Sequence, residues 1–196
     1  MNKELKEWIV SISIAVALVL VVRTFFFVQY QVSGDSMFPT FEDKDRLVIN
    51  KMATWTGGLD RGDVIVFHAD KKKDYIKRLV GFPGDKVEYK DDILYINGKA
   101  VEENYLKSNR TLAIGDQLTE DFTVRNLVNS DGKDKIPAGK YLVLGDNREI
   151  SLDSRKSLGL IKSDSVVGKV SFRFWPFKSF ETKFYEDDFK EVNQAN

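Results

Sequence analysis

Hydrophobic and polar positions divide the chain into one long apolar segment near the N-terminus and a series of short apolar segments after it. Residues 8–28 are apolar apart from two serines, Arg23 and Thr24. As a helix, these 21 residues would be about 30 Å long, which matches the hydrocarbon core of a bilayer. The pattern therefore predicts an N-terminal transmembrane helix.

The short segments after Arg46 are typical of β-strands, because they are rich in β-branched and aromatic residues and end at turn sequences such as Gly57-Gly58 and Asn97-Gly98. Strands without intervening helical periods favour an antiparallel, mostly β fold. The predicted strands are residues 46–50, 64–69, 75–80, 87–89, 93–96, 140–144 and 170–174.

The last predicted strand alternates Val170, Phe172 and Phe174 with polar residues, which is typical of a half-buried strand. Aromatic residues continue to Trp175 and Phe177. Phe174, Trp175 and Phe177 either complete the core or, in part, lie at a membrane interface, and the sequence fits both alternatives.

Charges on either side of the apolar segment predict its orientation. Lys3 and Lys6 precede it, whereas no Lys or Arg occurs between Arg23 and Lys44. The positive-inside rule therefore places residues 1–7 in the cytoplasm and the rest of the chain outside. A cleavable signal peptide is the alternative, but no Ala-x-Ala-like site follows the segment. We expect a single-pass anchor at residues 8–28 in the cell membrane.

The rest of the chain is expected to form one antiparallel β core, residues 29–85 and 141–180, interrupted by an inserted β subdomain, residues 86–140. The insert is rich in charged and polar residues, and none of them indicates chemistry of its own. Residues 181–196 form a charged C-terminal tail, for which we expect weak order.

Composition narrows the possible partners and cofactors. The 30 basic and 30 acidic residues balance, so no overall field favours nucleic acid. The absence of cysteine excludes a disulfide framework and a thiol nucleophile. With one histidine and no phosphate-binding glycine loop, the sequence predicts neither a metal nor a nucleotide cofactor.

Ser36 and Lys77 are the candidate nucleophile and base. A serine hydroxyl is inert at neutral pH and needs a base within hydrogen-bond distance. Strand alternation places Lys77 between Tyr75 and Leu79 on one face, where burial would lower its pKa and allow a neutral amine. The two residues lie about forty positions apart, which is a weak motif by itself. On these residues alone, the favoured interpretation is that Lys77 extends from a sheet edge and that Ser36 is a turn hydroxyl.

Three groups of short motifs surround these two residues and a later polar loop. They are Ser36-Met37-Phe38-Pro39-Thr40; Tyr75-Ile76-Lys77-Arg78 with Gly81-Phe82-Pro83-Gly84-Asp85; and Gly145-Asp146-Asn147-Arg148 with Ser151-Leu152-Asp153-Ser154-Arg155. In content and order, they resemble the conserved boxes of type I signal peptidases. The resemblance spans almost the whole chain except the insert, and the single anchor is similar to the Gram-positive form.

The resemblance implies a membrane-anchored serine endopeptidase that removes signal peptides from exported preproteins at Ala-x-Ala-like sites. Neutral Lys77 would take the proton of Ser36. The resemblance further implies that Ser151 hydrogen-bonds the Lys77 amine. It also implies that Asp153 pairs with Arg155, and with Arg78, to hold the loop against the strand. No cofactor or metal is implied.

Matching positions also predict the substrate contacts. The pockets for small side chains would be lined by Val32, Met37, Phe41, Tyr75 and Ile76. The Ser36 amide would be one oxyanion donor. Some family members carry a serine two positions before the nucleophile as a second donor, but here that position is Gly34, which leaves the second donor open.

Two other functions remain possible at this point. A degenerate member could bind export partners without cutting, although Ser36 and Lys77 are both retained. A self-cleaving regulator with a Ser/Lys pair and a similar β core would need a DNA-binding or cleavable arm in place of an apolar anchor. The expected partners are therefore preproteins and membrane lipid, without nucleic acid.

Overall fold

The computed structural model describes residues 3–70, 72–113, 115 and 117–194. Short strands dominate the chain after the first helix. The strands are β1 (Phe27–Gln31), β2 (Arg46–Asn50), β3 (Val64–His68), β4 (Asp74–Gly81), β5 (Val87–Lys90), β6 (Ile93–Ile96), β7 (Lys99–Val101), β8 (Phe122–Thr123), β9 (Lys140–Leu144), β10 (Ile161–Lys162) and β11 (Val166–Trp175).

The α-helices are α1 (Lys3–Phe26), α2 (Met52–Trp55), α3 (Lys107–Leu112) and α4 (Lys190–Asn193). Single turns of 3₁₀ helix lie at Asn104–Leu106, Val124–Asn126, Ser163–Ser165, Phe177–Ser179 and Glu186–Phe189. Apart from α1, the helices are short, so strands make up most of the regular structure after the first helix.

Two antiparallel sheets organise these strands. The larger has seven strands in the order β1-β2-β11-β3-β4-β9-β10, and the smaller has four in the order β7-β6-β5-β8. All four strands of the small sheet come from residues 86–140. The prediction of a mostly antiparallel β fold is confirmed, and every predicted strand overlaps an observed one.

The N-terminal helix differs from its predicted bounds. It begins at Lys3 and ends at Phe26, and the next residues open β1. Val28 and Tyr30 pair in register with Ile49 and Leu47 and pack against the same core cluster, so sheet pairing ends the helix although the sequence remains apolar. Within the residues that the structure describes, no helix has both the length and the apolar character needed to cross a membrane.

The C-terminal residues are better packed than the sequence predicts. Phe184 is buried against Phe41, with 4.8 Å between ring centroids. Phe189 is also fully buried, and Asn193 exchanges hydrogen bonds with Arg61. The expectation of weak order was therefore wrong for the described part of this segment, because its few aromatic residues anchor it in the core.

Candidate active site

Ser36 lies in the turns that follow β1, and buried neighbours fix its position. The Ser36 carbonyl accepts a hydrogen bond from the Asn147 amide at 3.1 Å. One residue later, Met37 is buried in the core, and its carbonyl accepts the Phe41 amide. The serine therefore lies on a short segment that is held in place by the burial of Met37 and by the hydrogen bond from the loop after β9.

Lys77 reaches Ser36 from the strand β4. Its Nζ lies 2.7 Å from Ser36 Oγ and donates a second hydrogen bond to the Ile76 carbonyl at 2.9 Å. The pairing of β4 with β3 places Lys77 opposite Ile65, in the interior of the larger sheet. The structure thus brings together the two residues that the sequence singled out as nucleophile and base.

The surroundings of Lys77 favour its neutral form. The residue is only 3% exposed, and its amine lies 5.4 Å from the centre of the Tyr75 ring. Burial lowers the pKa of Lys77 to about 8, although the Asp153 and Asp146 carboxylates act in the opposite direction. A lysine with such a pKa is partly neutral under mildly alkaline conditions and can accept a proton from a hydroxyl.

Arg78 does not pair with Asp153, which corrects one expectation from the sequence. Its side chain projects from the other face of β4 and forms two hydrogen bonds with Asp146, at 2.9 and 2.6 Å. It also donates to the carbonyls of Gly62 and Phe184. Asp146 is the nearer acceptor because it follows β9, the strand that pairs directly with β4.

Asp153 and Arg155 pair with each other, as expected. The Arg155 guanidinium donates to both carboxylate oxygens of Asp153, at 2.9 and 2.8 Å, and the Gly145 amide donates to one of them. Burial alone would raise the pKa of Asp153, but these hydrogen bonds and the Arg155 charge hold that pKa below its usual value. The carboxylate remains ionised and closes the loop from Gly145 to Arg155.

The expected hydrogen bond from Ser151 to Lys77 is absent. Ser151 is buried, and among the described residues its hydroxyl has no hydrogen-bond partner. The hydroxyl instead packs against Gly145, where an added Cβ would collide with Ser151 and with the Ser36 carbonyl. Gly145 is therefore required for the close approach of the two segments, and Ser151 forms no hydrogen bond with the lysine.

A cleft of about 310 Å³ opens onto Ser36 and Lys77. Four of the five predicted substrate contacts line it: Val32, Met37, Tyr75 and Ile76. Phe41 does not, because its side chain is fully buried against Phe184 beneath the cleft. Phe41 therefore supports the floor of the cleft and is not one of its lining residues.

The cleft also contains residues that sequence reasoning missed. Tyr30 and Asp74 line it and are joined by a hydrogen bond of 2.5 Å, and His68 contacts the same carboxylate. Ile150 and Leu152 line it from the loop after β9, and both are exposed. The available signal in the sequence was the presence of two apolar residues within an otherwise polar loop.

Gly34, the position that departs from the family pattern, has a backbone reason to be glycine. Its φ is 85°, a left-handed conformation that favours glycine. Its amide donates to Asp43 at 3.0 Å, so it is already engaged. Within the described part of the chain, the Ser36 amide forms no hydrogen bond and remains the candidate oxyanion donor.

Comparisons with known proteins show the family to which the chain belongs. The family model described as signal peptidase, peptidase S26, matches residues 5–175. Signal peptidase IB of Staphylococcus aureus is 51% identical over 191 residues, which cover 97% of this chain and 100% of that protein. Signal peptidase I of Bacillus caldolyticus is 47% identical over 171 residues, covering 87% of this chain and 92% of that protein.

A solved structure is also similar. The crystal structure of a signal peptidase I from Enterococcus faecalis V583 is 42% identical in sequence, with a TM-score of 0.52. The match covers 57% of this chain and 95% of that one. Both the family model and the full-length relatives therefore include the segment that carries Ser36, Lys77 and the loop after β9. The chain belongs to the signal peptidase family, peptidase S26, as its three groups of motifs predicted.

Proposed function

We propose that this protein is a serine endopeptidase that removes N-terminal signal peptides from exported preproteins, with Ser36 as nucleophile and Lys77 as general base. The observation that carries the proposal is the 2.7 Å separation of Lys77 Nζ and Ser36 Oγ. The lysine is buried and the pair opens onto a cleft, so a neutral amine can activate the hydroxyl beside a bound peptide.

The reaction follows from these positions. Neutral Lys77 takes the Ser36 proton while the serine oxygen attacks the scissile carbonyl, and the protonated amine then gives that proton to the leaving nitrogen. Water hydrolyses the acyl-enzyme. The Ser36 amide is proposed to stabilise the oxyanion. A second donor matters, since one donor is typically worth about 2.7 to 4 kcal/mol.

The cleft supports a preference for small residues at the cut site, such as Ala-x-Ala. Val32, Met37 and Ile76 give the cleft apolar walls near Ser36. Tyr30 and Asp74, which are hydrogen-bonded to each other, form a polar part of its lining. Apolar walls discriminate a single methylene by only about 1 to 3 kcal/mol. We therefore expect selection against large side chains and little discrimination among small ones.

We further propose that α1 attaches the enzyme to the membrane, where exported preproteins emerge. Apolar side chains such as Trp8, Ile12 and Leu18 are exposed along α1. At the other end of the chain, Trp175 is 44% and Phe177 is 74% exposed, which favours the interface alternative over the core for these two rings. A single pass with a cytoplasmic N-terminus is the arrangement to test, by alkaline extraction and by protease protection of each end.

The first experiment measures cleavage of a lipid-embedded preprotein with an Ala-x-Ala site from pH 6 to 10. We expect Ser36→Ala and Lys77→Ala each to lower kcat by at least about 10³-fold, because each removes a group that acts in the transition state. Ser108→Ala and Lys73→Ala, at exposed positions, are the matched controls.

The pH profile tests the role of the lysine. Because only the neutral amine accepts a proton, wild-type kcat/KM, which reports the free enzyme, should rise with pH through about 8, the pKa of Lys77. A flat profile, or full activity in either variant, would exclude the Ser/Lys mechanism. An inactive wild-type protein that still binds preproteins would favour the non-enzymatic alternative.

A further inference from the structure

Asn109 is a buried polar residue on a short, otherwise exposed helix. It lies on α3, within residues 86–140, and is 7% exposed, while the other α3 residues are exposed. Its side-chain Nδ2 donates two hydrogen bonds, to the Phe38 carbonyl at 2.8 Å and to the Asp146 carbonyl at 2.9 Å. One amide group therefore bridges two separate segments of backbone.

Both of those segments belong to the candidate active site. Phe38 lies two residues after Ser36, and Asp146 lies in the loop that runs on to Asp153 and Arg155. The same two segments meet once more, where the Asn147 amide donates to the Ser36 carbonyl. Asn109 thus adds a second connection between the Ser36 segment and that loop, and together the two connections fix their relative position.

The helix that carries Asn109 is itself firmly held. The preceding Tyr105 and Leu106 are fully buried, and the Tyr105 ring lies 3.9 Å from the Arg78 guanidinium. Glu103 pairs with Arg148 at 2.5 Å, and Arg148 donates to the Gly145 carbonyl at 2.9 Å. Residues from the predicted insert therefore contact the active-site loop at both Arg148 and Asp146. Of these contacts, the one made by Asn109 also includes the serine segment.

We propose that Asn109 is a positioning residue for the nucleophile: it fixes the Ser36 segment against the loop after β9, so that Ser36 Oγ stays within reach of Lys77. This inference rests on the proposed function of Ser36 and Lys77. It gives the predicted insert a part in catalysis that its sequence did not indicate. A misplacement of about 1 Å can cost about 10²-fold in rate, so small movements of this junction are sufficient.

The test compares two asparagine substitutions in the full-length protein. Asn109→Ala removes the bridge. Asn104→Ala is the matched control, because its Nδ2 also donates twice, to Asp188 and to the Glu102 carbonyl, away from the Ser36 segment. We measure kcat and KM on an Ala-x-Ala preprotein, the unfolding midpoint, and hydrogen exchange of the Asn147 amide.

We expect Asn109→Ala to lower kcat by about 10- to 100-fold, with KM within about twofold of wild type, and to accelerate exchange at Asn147. Asn104→Ala should lower the unfolding midpoint but leave kcat and Asn147 exchange unchanged. If Asn109→Ala does not fold, Asn109→Gln retains the amide with one added methylene and should lower kcat in folded protein.

Unchanged kcat and unchanged Asn147 exchange in folded Asn109→Ala would overturn the positioning role. Equal losses of kcat in both variants would do the same, because they would indicate a general effect of stability. Exchange at Asn147 needs no catalysis, so a wild-type protein that cuts nothing would overturn the proposed function independently of the exchange result.

Discussion

Lys77 and Arg78 are consecutive basic residues on β4, and both are buried, yet their surroundings act on them in opposite directions. Among the described residues, Lys77 has no carboxylate within ion-pair distance and contacts a hydroxyl and a carbonyl. Its pKa falls to about 8. Burial would also lower the pKa of Arg78, but the Asp146 carboxylate raises it above its usual value. At these two buried positions, the presence or absence of a carboxylate partner sets the direction in which the pKa shifts.

The difference follows from the two faces of one strand. Arg78 projects toward Asp146 and the carbonyls of Gly62 and Phe184, where a planar guanidinium satisfies several acceptors at once. Lys77 projects into the cleft beside Ser36. The two carboxylates that act on Lys77 from a distance, Asp146 and Asp153, are each bound to an arginine. Because the arginines balance their negative charge, the two carboxylates raise the pKa of Lys77 less than unpaired carboxylates would.

The largest expected effect comes from making position 77 resemble position 78. Lys77→Arg keeps the positive charge, but arginine stays protonated at any working pH and cannot act as a base. We expect kcat to fall by at least about 10³-fold at pH 7 to 9, measured in single turnovers. Arg78→Lys, the reverse exchange, should retain measurable turnover at temperatures where the variant is folded. Substantial activity in Lys77→Arg would show that the base lies elsewhere.

The second-largest expected effect is a loss of stability when the buried Arg78–Asp146 ion pair is broken. Asp146→Ala leaves the Arg78 charge buried without its partner, and such a change typically costs about 3 to 5 kcal/mol in the free energy of unfolding. Denaturant unfolding measures it. The control is Asp134→Ala, because Asp134 pairs with Arg125 at a site where both side chains are 60% exposed. That variant should be indistinguishable from wild type, and equal losses in the two variants would contradict the comparison.

Strand alternation indicated an apolar face for Lys77, because neighbours two positions away on a strand share a face, but the family resemblance was needed to prefer that burial over a sheet edge. Strand alternation could not predict the partner of Arg78. Two aspartates, Asp146 and Asp153, lie in the same polar loop, and only the pairing of β4 with β9 decides which one faces the arginine. The family resemblance implied Asp153 as the partner of Arg78, and this expectation was wrong because the arginine pairs with Asp146.

Contacts between distant segments account for the other differences. Phe41 was expected in the substrate pocket because it is apolar and lies close to Ser36. It packs instead against Phe184, which belongs to the C-terminal segment that was expected to be weakly ordered. Asn109 looked like an ordinary polar residue of the insert, because its two acceptors are backbone carbonyls far along the chain. Backbone acceptors leave no pattern in the sequence, so such bridges appear only in the structure.

The smallest effect tests the energetic cost of keeping Lys77 unpaired. Lys77→Met replaces the amine with an apolar chain of similar length, and we expect it to stabilise the protein by about 1 to 3 kcal/mol at pH 7 while abolishing activity. The sign of the pH dependence is specific. The pKa of lysine in the unfolded chain is about 10.4, and burial lowers the pKa of folded Lys77 to about 8. Between these values the unfolded state binds more protons, so wild-type stability rises with pH.

The gain in the free energy of unfolding of Lys77→Met over wild type should therefore be largest below pH 8 and decrease steadily toward about pH 10.4. Denaturant unfolding at pH 6, 7, 9 and 10 measures it. Lys73→Met, at an exposed position on the same hairpin, is the control and should show no such trend. If methionine destabilised the protein, or if its advantage grew with pH, the amine would be held by favourable charge interactions, as Arg78 is. Lys77 would then be a structural cation, and its place beside Ser36 would need another explanation.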